Sequence, residues 1–167
     1  PLFGVLSHSE AASSLGSHVI ILLMAAFMLS KGLERANLHK RFAIYMLRLT
    51  GSGSPLKLVL GFMLTTAVLS MWISNTATVL MMLPMAIAII NAVDNPRFGV
   101  ALILGIAYSA SLGGVGTPIG TPPNIIFMSV YEETQGIEYS FIDWMKTGVP
   151  IVILGVPIML LPISSIK

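Results

Sequence analysis

Two polar clusters lie in parts of the chain that carry no Asp, Glu, Lys or Arg. The first is Ser74-Asn75-Thr76, near the middle of the charge-free stretch from Leu58 to Val93. The second is a glycine- and proline-rich run, Gly113 to Asn124, inside the charge-free stretch from Phe98 to Tyr131. Their hydroxyl, amide and backbone groups are neutral donors and acceptors. Such groups suit the binding of small ions better than acid–base catalysis.

Each cluster interrupts an apolar helical pattern, so each predicts a broken helix with two free ends. Before the first break, a helix from Leu56 to about Ile73 presents unpaired carbonyls; after it, a helix from about Ala77 to Asn91 presents unpaired N–H groups. In the second break we expect Thr121 to be an N-cap and Pro122 the first helical residue. Helix N-termini favour anions and carbonyl ends favour cations. The pattern predicts a cation bound beside an anion.

The absence of ionisable side chains from both stretches narrows the function further. Neither stretch contains Asp, Glu, Lys, Arg or His, whereas proton pumps and channels with charged rings typically carry one. The chain has no cysteine, and it contains no HExxH or GxSxG motif. We therefore expect cation-coupled anion transport, with no enzyme activity and no organic cofactor.

The composition indicates an integral membrane protein. Of 167 residues, 55% are hydrophobic and 10% are charged, and the mean hydropathy is +0.89. A soluble domain carries about a quarter charged residues. The low charge and the net charge of +2 exclude disordered, coiled-coil and nucleic-acid-binding proteins. We expect an all-α, multi-pass protein of the cell (inner) membrane, with the lipid bilayer as its surroundings.

The lengths of the charge-free stretches predict how they cross the bilayer. Because roughly 20 apolar residues span it as a helix, Ala11–Ser30 and Thr147–Ile166 each predict one span. The two stretches that contain the polar clusters are too long for one span, so each must be interrupted or folded back. By length alone, Pro55 to Val93 also fits two short full spans, which would place Asn75 at the outer surface.

The charged residues predict an orientation. Most basic residues cluster between the first two charge-free stretches, and acidic residues cluster before the last one, so the basic cluster is expected in the cytoplasm. Within it, Asn37 is a candidate cap for an amphipathic helix from Leu38 to Leu49. Such a helix should lie flat at the cytoplasmic interface.

At this point the residues resemble a known family. Ser74-Asn75-Thr76-Ala77-Thr78, preceded by Ser70-Met71-Trp72-Ile73, resembles the Ser-Asn-Thr signature of the divalent anion:sodium symporters, which carry dicarboxylates, citrate or sulfate. The run from Ala107 to Gly114, continued by Gly120-Thr121-Pro122-Pro123-Asn124, is similar to the second N-terminal motif of that family. The resemblance covers essentially the whole chain.

The resemblance implies a fold that composition alone does not. It implies one half of an inverted-repeat elevator transporter, which is usually a homodimer. Residues 1–54 would form a span and the interfacial helix, and residues 55–94 a re-entrant hairpin with the Ser-Asn-Thr tip. Residues 95–134 would form a broken transmembrane helix, and residues 135–167 an outer loop and the final span.

The resemblance also implies a site. Sodium would be held by Ser70, Ser74, Asn75 and the Gly120 carbonyl. The anion would meet Ser74, Asn75, Thr76 and Thr121. Because Ser-Asn-Thr occurs once here and the family has a second copy in its C-terminal repeat, we expect an N-terminal portion whose partner is the C-terminal half of the same transporter.

Three other functions stay open at this level. One is a sodium-independent anion exchanger, and another is an arsenite or citrate carrier on the same scaffold. A third is a non-transporting membrane protein that binds a partner through small-residue helix faces. Taken singly, Ser70, Ser109 and Ser111 also fit a purely structural role, in which each packs helices or bonds to the preceding turn.

Overall fold

The computed structural model describes residues 7–9, 16, 18–37, 41, 44–45, 48, 54–93 and 95–164. Within these ranges the chain forms helices and no strand. The helices are α1 (His18–Arg35), α2 (Pro55–Ser70), α3 (Asn75–Val93), α4 (Pro96–Gly113), α5 (Pro122–Gln135) and α6 (Phe141–Ser164).

Three of these helices, α3, α4 and α6, are long and apolar enough to cross a membrane. Helix α2 is also apolar, but it has only 16 residues. The predicted all-helical membrane class is therefore confirmed. Helix α6 begins at Phe141, six residues before the charge-free stretch on which the final span was predicted.

Helix α1 covers residues 18–30 of the predicted first span, whereas the predicted interfacial helix lies largely outside the described residues. Of Leu38–Leu49 the structure describes residues 41, 44, 45 and 48, all helical, and most of residues 11–17 are not described. Asn37 has a φ of 51°. Its carbonyl accepts a hydrogen bond from the Arg41 N–H at 3.3 Å, as at the start of a helix. Residues 38–40, which its side chain would cap, lie outside the described residues, so the capping role of Asn37 stays a prediction.

Local capping fixes where α2 and α4 begin. Pro55 occupies the first turn of α2, and the Ser54 hydroxyl accepts a hydrogen bond from the Lys57 N–H at 3.3 Å. Before α4, the Asn95 side chain accepts bonds from the N–H groups of Arg97 and Phe98. A polar N-cap followed by proline is a strong helix start, because proline has no N–H to satisfy there.

Helices α2 and α4 pack side by side and run in the same direction. A methyl group on Gly105 would lie 3.0 Å from Met63, and one on Gly113 would overlap the Ala67 carbonyl. The later residue of α4, Gly113, contacts the later residue of α2, Ala67, so the two helices are parallel. Glycine at position 113 brings the two backbones into direct contact, which no larger residue would allow.

Helix α3 runs in the opposite direction to α4. Its first residue, Asn75, contacts Gly114, and Ile90 near its other end contacts Gly99 near the start of α4. Helices α2 and α3 therefore form a hairpin, and its connection, residues 71–74, lies at the level where α4 ends. Pro84 lies inside α3.

The core lies where these three helices meet α6. Phe62, Met63, Met82, Leu102 and Ile106 are fully buried there, and Val156 of α6 joins them. Burying one such side chain contributes about 1.5–3 kcal/mol where water is the alternative. Most of the remaining surface of α3 and α6 is apolar and exposed, as expected of helices that face lipid or another protein segment.

Candidate functional site

The first break is one residue longer than predicted and begins earlier in the chain. Helix α2 ends at Ser70 and α3 begins at Asn75, so only residues 71–74 are non-helical. The predicted helix ends, Ile73 and Ala77, are therefore wrong. The reason is that Ser74 caps α3: its hydroxyl accepts from the Ala77 N–H at 3.3 Å, and its carbonyl accepts from the Thr78 N–H at 2.9 Å.

Ser70 joins the break to two neighbouring helices. Its side chain is fully buried, and its Oγ lies 2.6 Å from Asn75 Oδ1 and 2.7 Å from the Ala110 carbonyl oxygen. A hydroxyl has one hydrogen, so Ser70 donates to only one of these acceptors at a time. When it donates to Asn75 it links α2 to α3 across the break, and when it donates to Ala110 it links α2 to α4. Ser70 thus bonds across helices, not back to its own.

The second break, residues 114–121, lies between the end of α4 and the start of α5. Thr121 is extended, with φ −148° and ψ 140°, and Pro122 begins the helix, in the positions predicted. The Thr121 side chain nevertheless makes no capping hydrogen bond. Pro123 has no N–H, and the Asn124 N–H donates to the Thr121 carbonyl at 3.1 Å. The Thr121 hydroxyl therefore has no helical donor left to accept from.

Three side chains that were not predicted as site residues hold the second break in place. The Asn124 amide nitrogen is buried and donates to the carbonyls of Gly114 and Thr117, each at 2.8 Å. Trp144 Nε1 donates to the Val115 carbonyl at 2.8 Å. The Thr117 hydroxyl donates to the Met71 carbonyl and so ties the second break to the first.

The sequence signals for these three residues differ. Asn124 lies within the first turn of a helix that was predicted, and Thr117 lies within the predicted break, so local context draws attention to both. Trp144 is separated from its partner Val115 by 29 positions. No local pattern indicates that contact.

The two breaks touch at Gly114. A methyl group at this position would lie 2.5 Å from Asn75 Oδ1, and a methyl group at Gly120 would lie 2.5 Å from the Gly114 carbonyl oxygen. Asn75, Gly114 and Gly120 are therefore in consecutive contact. The structure brings Ser70 and Asn75 together directly, and it brings Gly120 to them through Gly114.

The electrostatics of the junction come from helix ends. The N-termini of α3 and α5 and the C-termini of α2 and α4 all lie at the two breaks, so partial charges of both signs meet there. The nearest formal charges on α2 and α4 are Lys57 and Arg97, at the opposite ends of those helices. The junction can therefore interact with ions of either sign without a fixed charge of its own.

A shallow cavity of about 350 Å³ opens beside this junction. It is lined by Asn75, Thr76, Val79, Leu80, Ala107, Ala110 and Ser111. Two residues predicted to contact the anion, Asn75 and Thr76, line it, whereas Ser74 and Thr121 do not. The Ser111 hydroxyl donates to the Ala107 carbonyl one turn earlier at 3.3 Å, so Ser111 bonds to its own helix.

Comparison with known proteins gives one family. A family model described as a citrate transporter matches residues 1–166. Proteins named sodium-dependent dicarboxylate transporter SdcS, from Staphylococcus aureus strains USA300 and COL, are 40% identical over 169 residues, which is 93% of this chain and 32% of each relative. The chain thus spans about a third of the length of these curated relatives.

Proposed function

Because the chain belongs to the citrate transporter family, we propose that it forms part of a sodium-coupled symporter for a divalent anion such as a C4-dicarboxylate, citrate or sulfate. The observation that carries the proposal is the contact between the two helix breaks through Asn75 and Gly114. The chain is a multi-pass integral membrane protein. Its relatives are named for sodium dependence and for dicarboxylates, which supports both parts of the proposal.

We assign the sodium ion to Ser70, Ser74, Asn75 and the Gly120 carbonyl. The close approach of Ser70 Oγ to Asn75 Oδ1 at 2.6 Å supports the first part of this set. Sodium is a hard cation, and neutral oxygen ligands such as hydroxyls, amides and carbonyls suit it. No hydrogen bond between described residues engages the Gly120 carbonyl, which leaves this oxygen available as a ligand.

We assign the anion to Ser74, Asn75, Thr76 and Thr121. The first three lie at the N-terminus of α3, where free N–H groups favour negative charge. Thr76 also lines the cavity beside the junction. Thr121 precedes the N-terminus of α5, and its hydroxyl makes no capping bond. A bound cation next to the anion would offset part of the charge of each.

The proposed architecture is one half of an inverted-repeat elevator carrier. In it, residues 55–94 form a re-entrant hairpin, residues 95–134 a broken transmembrane helix, and the remaining regions the spans on either side. A 16-residue α2 is about 24 Å long, less than the roughly 30 Å hydrocarbon core, so this arm of the hairpin, unlike the 19-residue α3, is too short to cross it, which supports a hairpin that turns back. The exposed apolar face of α3 would contact the C-terminal half of the same carrier, within a homodimer.

The test is uptake into proteoliposomes that contain the complete carrier polypeptide. Labelled succinate, citrate and sulfate are supplied with and without a sodium gradient, and we expect sodium-driven uptake of at least one. Asn75→Ala should lower that uptake about 100-fold, because it removes a group shared by both ligands, a loss of roughly 3 kcal/mol. Undiminished uptake of all three anions by Asn75→Ala would overturn the site.

The other functions give different outcomes in the same experiment. An exchanger would require internal anion and would ignore the sodium gradient. An arsenite or citrate carrier would differ in the solute that it accepts. A non-transporting protein would show no uptake, and sodium would not protect cysteines introduced as Ser70→Cys or Thr121→Cys from modification.

A further inference from the structure

The Val115 carbonyl is the only point at which a hydrogen-bonding side chain of α6 reaches the second break within the described residues. Trp144 Nε1 donates to this carbonyl at 2.8 Å. One turn later, the buried Gly148 passes so close that a methyl group there would lie 2.6 Å from the same oxygen and 3.0 Å from the Gly116 carbonyl oxygen. Helix α6 therefore contacts this backbone through a donor and through a glycine.

The Trp144 ring is itself fixed by aromatic neighbours. Its centroid lies 5.8 Å from that of Phe127 on α5 and 6.1 Å from that of Tyr139, in edge-to-face arrangements. Edge-to-face pairs of this kind are favourable. The indole N–H is thus directed at Val115 by contacts to two separate segments. Its orientation does not depend on the hydrogen bond alone.

Val115 is adjacent in the chain to the residue that joins the two breaks. Gly114 contacts Asn75 on one side and Gly120 on the other. A shift of the Val115 peptide therefore moves Gly114, and it changes the spacing between Asn75 and Gly120, two of the residues assigned to sodium. Asn124 holds the Gly114 carbonyl from α5, so the α6 contact is the second restraint on the same short segment.

We propose that Trp144 is a positioning residue, which sets the sodium affinity of the junction by holding the Val115 carbonyl from α6. The inference rests on the proposed function, because it acts through the sodium ligands assigned there. Trp144 does not touch sodium or the anion. Its contribution is to keep Gly114 and Gly120 at the spacing that the cation requires.

The experiment measures the sodium dependence of anion uptake by the complete carrier in proteoliposomes. Trp144→Phe keeps an aromatic ring but lacks the N–H. We expect the sodium concentration for half-maximal uptake to rise about three- to tenfold, as for loss of one hydrogen bond. Maximal uptake at saturating sodium should stay within about twofold. The half-maximal concentration does not depend on how much protein inserts, so a poorly inserting variant still gives an answer.

Two further variants separate positioning from packing. Gly148→Ala displaces the same carbonyl by crowding and should raise the half-maximal sodium concentration in the same way. Tyr139→Phe keeps the ring beside Trp144, and Gly32→Ala adds a methyl group where nothing lies within 4 Å. Both controls should leave the sodium dependence unchanged.

The possible outcomes are distinct. If Trp144→Phe lowers maximal uptake while the half-maximal sodium concentration stays at the wild-type value, Trp144 has a structural role only and the inference is wrong. An unchanged sodium dependence in Trp144→Phe and Gly148→Ala together also overturns it. If the wild-type carrier shows no sodium dependence at all, it is the proposed function that fails.

Discussion

The two helix breaks meet at one junction but are built in different ways. The first has four residues, 71–74, and offers side chains: Ser70, Ser74 and Asn75 lie at its edges. The second has eight residues, 114–121, and offers mainly backbone, because it is rich in glycine. Ser74 caps the first break from within, whereas side chains of α5 and α6 hold the second from outside.

This difference shows two ways of making a neutral ion site within a membrane protein. A short break can rely on local capping, because few backbone groups lose their partners. A long break exposes many carbonyls, and each must be bonded or used for a ligand, since lipid offers no alternative. The longer break therefore needs restraints from elsewhere in the fold, and its precision depends on residues far away in the sequence.

Removal of the main restraint on the second break should have the largest effect. Asn124→Leu keeps the approximate volume but leaves the Gly114 carbonyl without its donor. We expect the free energy of unfolding to fall by about 3 kcal/mol, measured by denaturant unfolding of the detergent-solubilised carrier. Asn91→Leu, on an exposed part of α3, is the control and should change it by less than about 0.5 kcal/mol. Equal effects would show that the second break is not restrained by Asn124.

Obstruction of the contact between the two breaks should have the second-largest effect. In Gly114→Ala the new methyl group would lie 2.5 Å from Asn75 Oδ1, so the breaks must separate. A cost of about 2 kcal/mol corresponds to a roughly 30-fold decrease in uptake. Gly32→Ala serves as the control without a neighbour. Wild-type uptake by Gly114→Ala would mean that the two breaks do not act together.

Loss of the hydrogen bond that Thr117 makes from the second break to the first should have the smallest effect. Thr117→Val removes the donor to the Met71 carbonyl and should lower the free energy of unfolding by about 1 kcal/mol. The matched variant Thr121→Val removes a hydroxyl that makes no capping bond. It should leave stability unchanged and lower uptake, because Thr121 is assigned to the anion. If Thr117→Val instead lowered uptake and Thr121→Val instead lowered stability, the roles assigned to the two threonines would be wrong.

The sequence predicted those parts of the molecule that depend on local chemistry. Charge-free stretches predicted apolar helices, and the Gly- and Pro-rich run predicted the second break, because these residues act through their own backbone. The family resemblance is confirmed by the citrate transporter match. The membrane class and the start of α5 at Pro122 could also be predicted.

The sequence could not predict contacts between distant segments. The start of α3 was misplaced because the sequence analysis did not anticipate that Ser74 caps this helix through the Ala77 and Thr78 N–H groups. Thr121 makes no capping bond because Pro122 and Pro123 have no N–H and the Asn124 N–H bonds to the Thr121 carbonyl. The composition of the segment does not show which acceptor Asn124 takes. Thr117 and its partner Met71 are 46 positions apart. Such a pair becomes visible only when the two breaks are placed side by side.

Pro84 has a consequence for the shape of α3. In a regular helix the N–H at position 84 would bond to the carbonyl of Leu80, but proline has no N–H and its ring crowds that carbonyl. The Leu80 carbonyl therefore lacks its helical donor, and the helix can bend at this point. The end of α3 that carries Asn75 and Thr76 can then tilt relative to the rest of the helix.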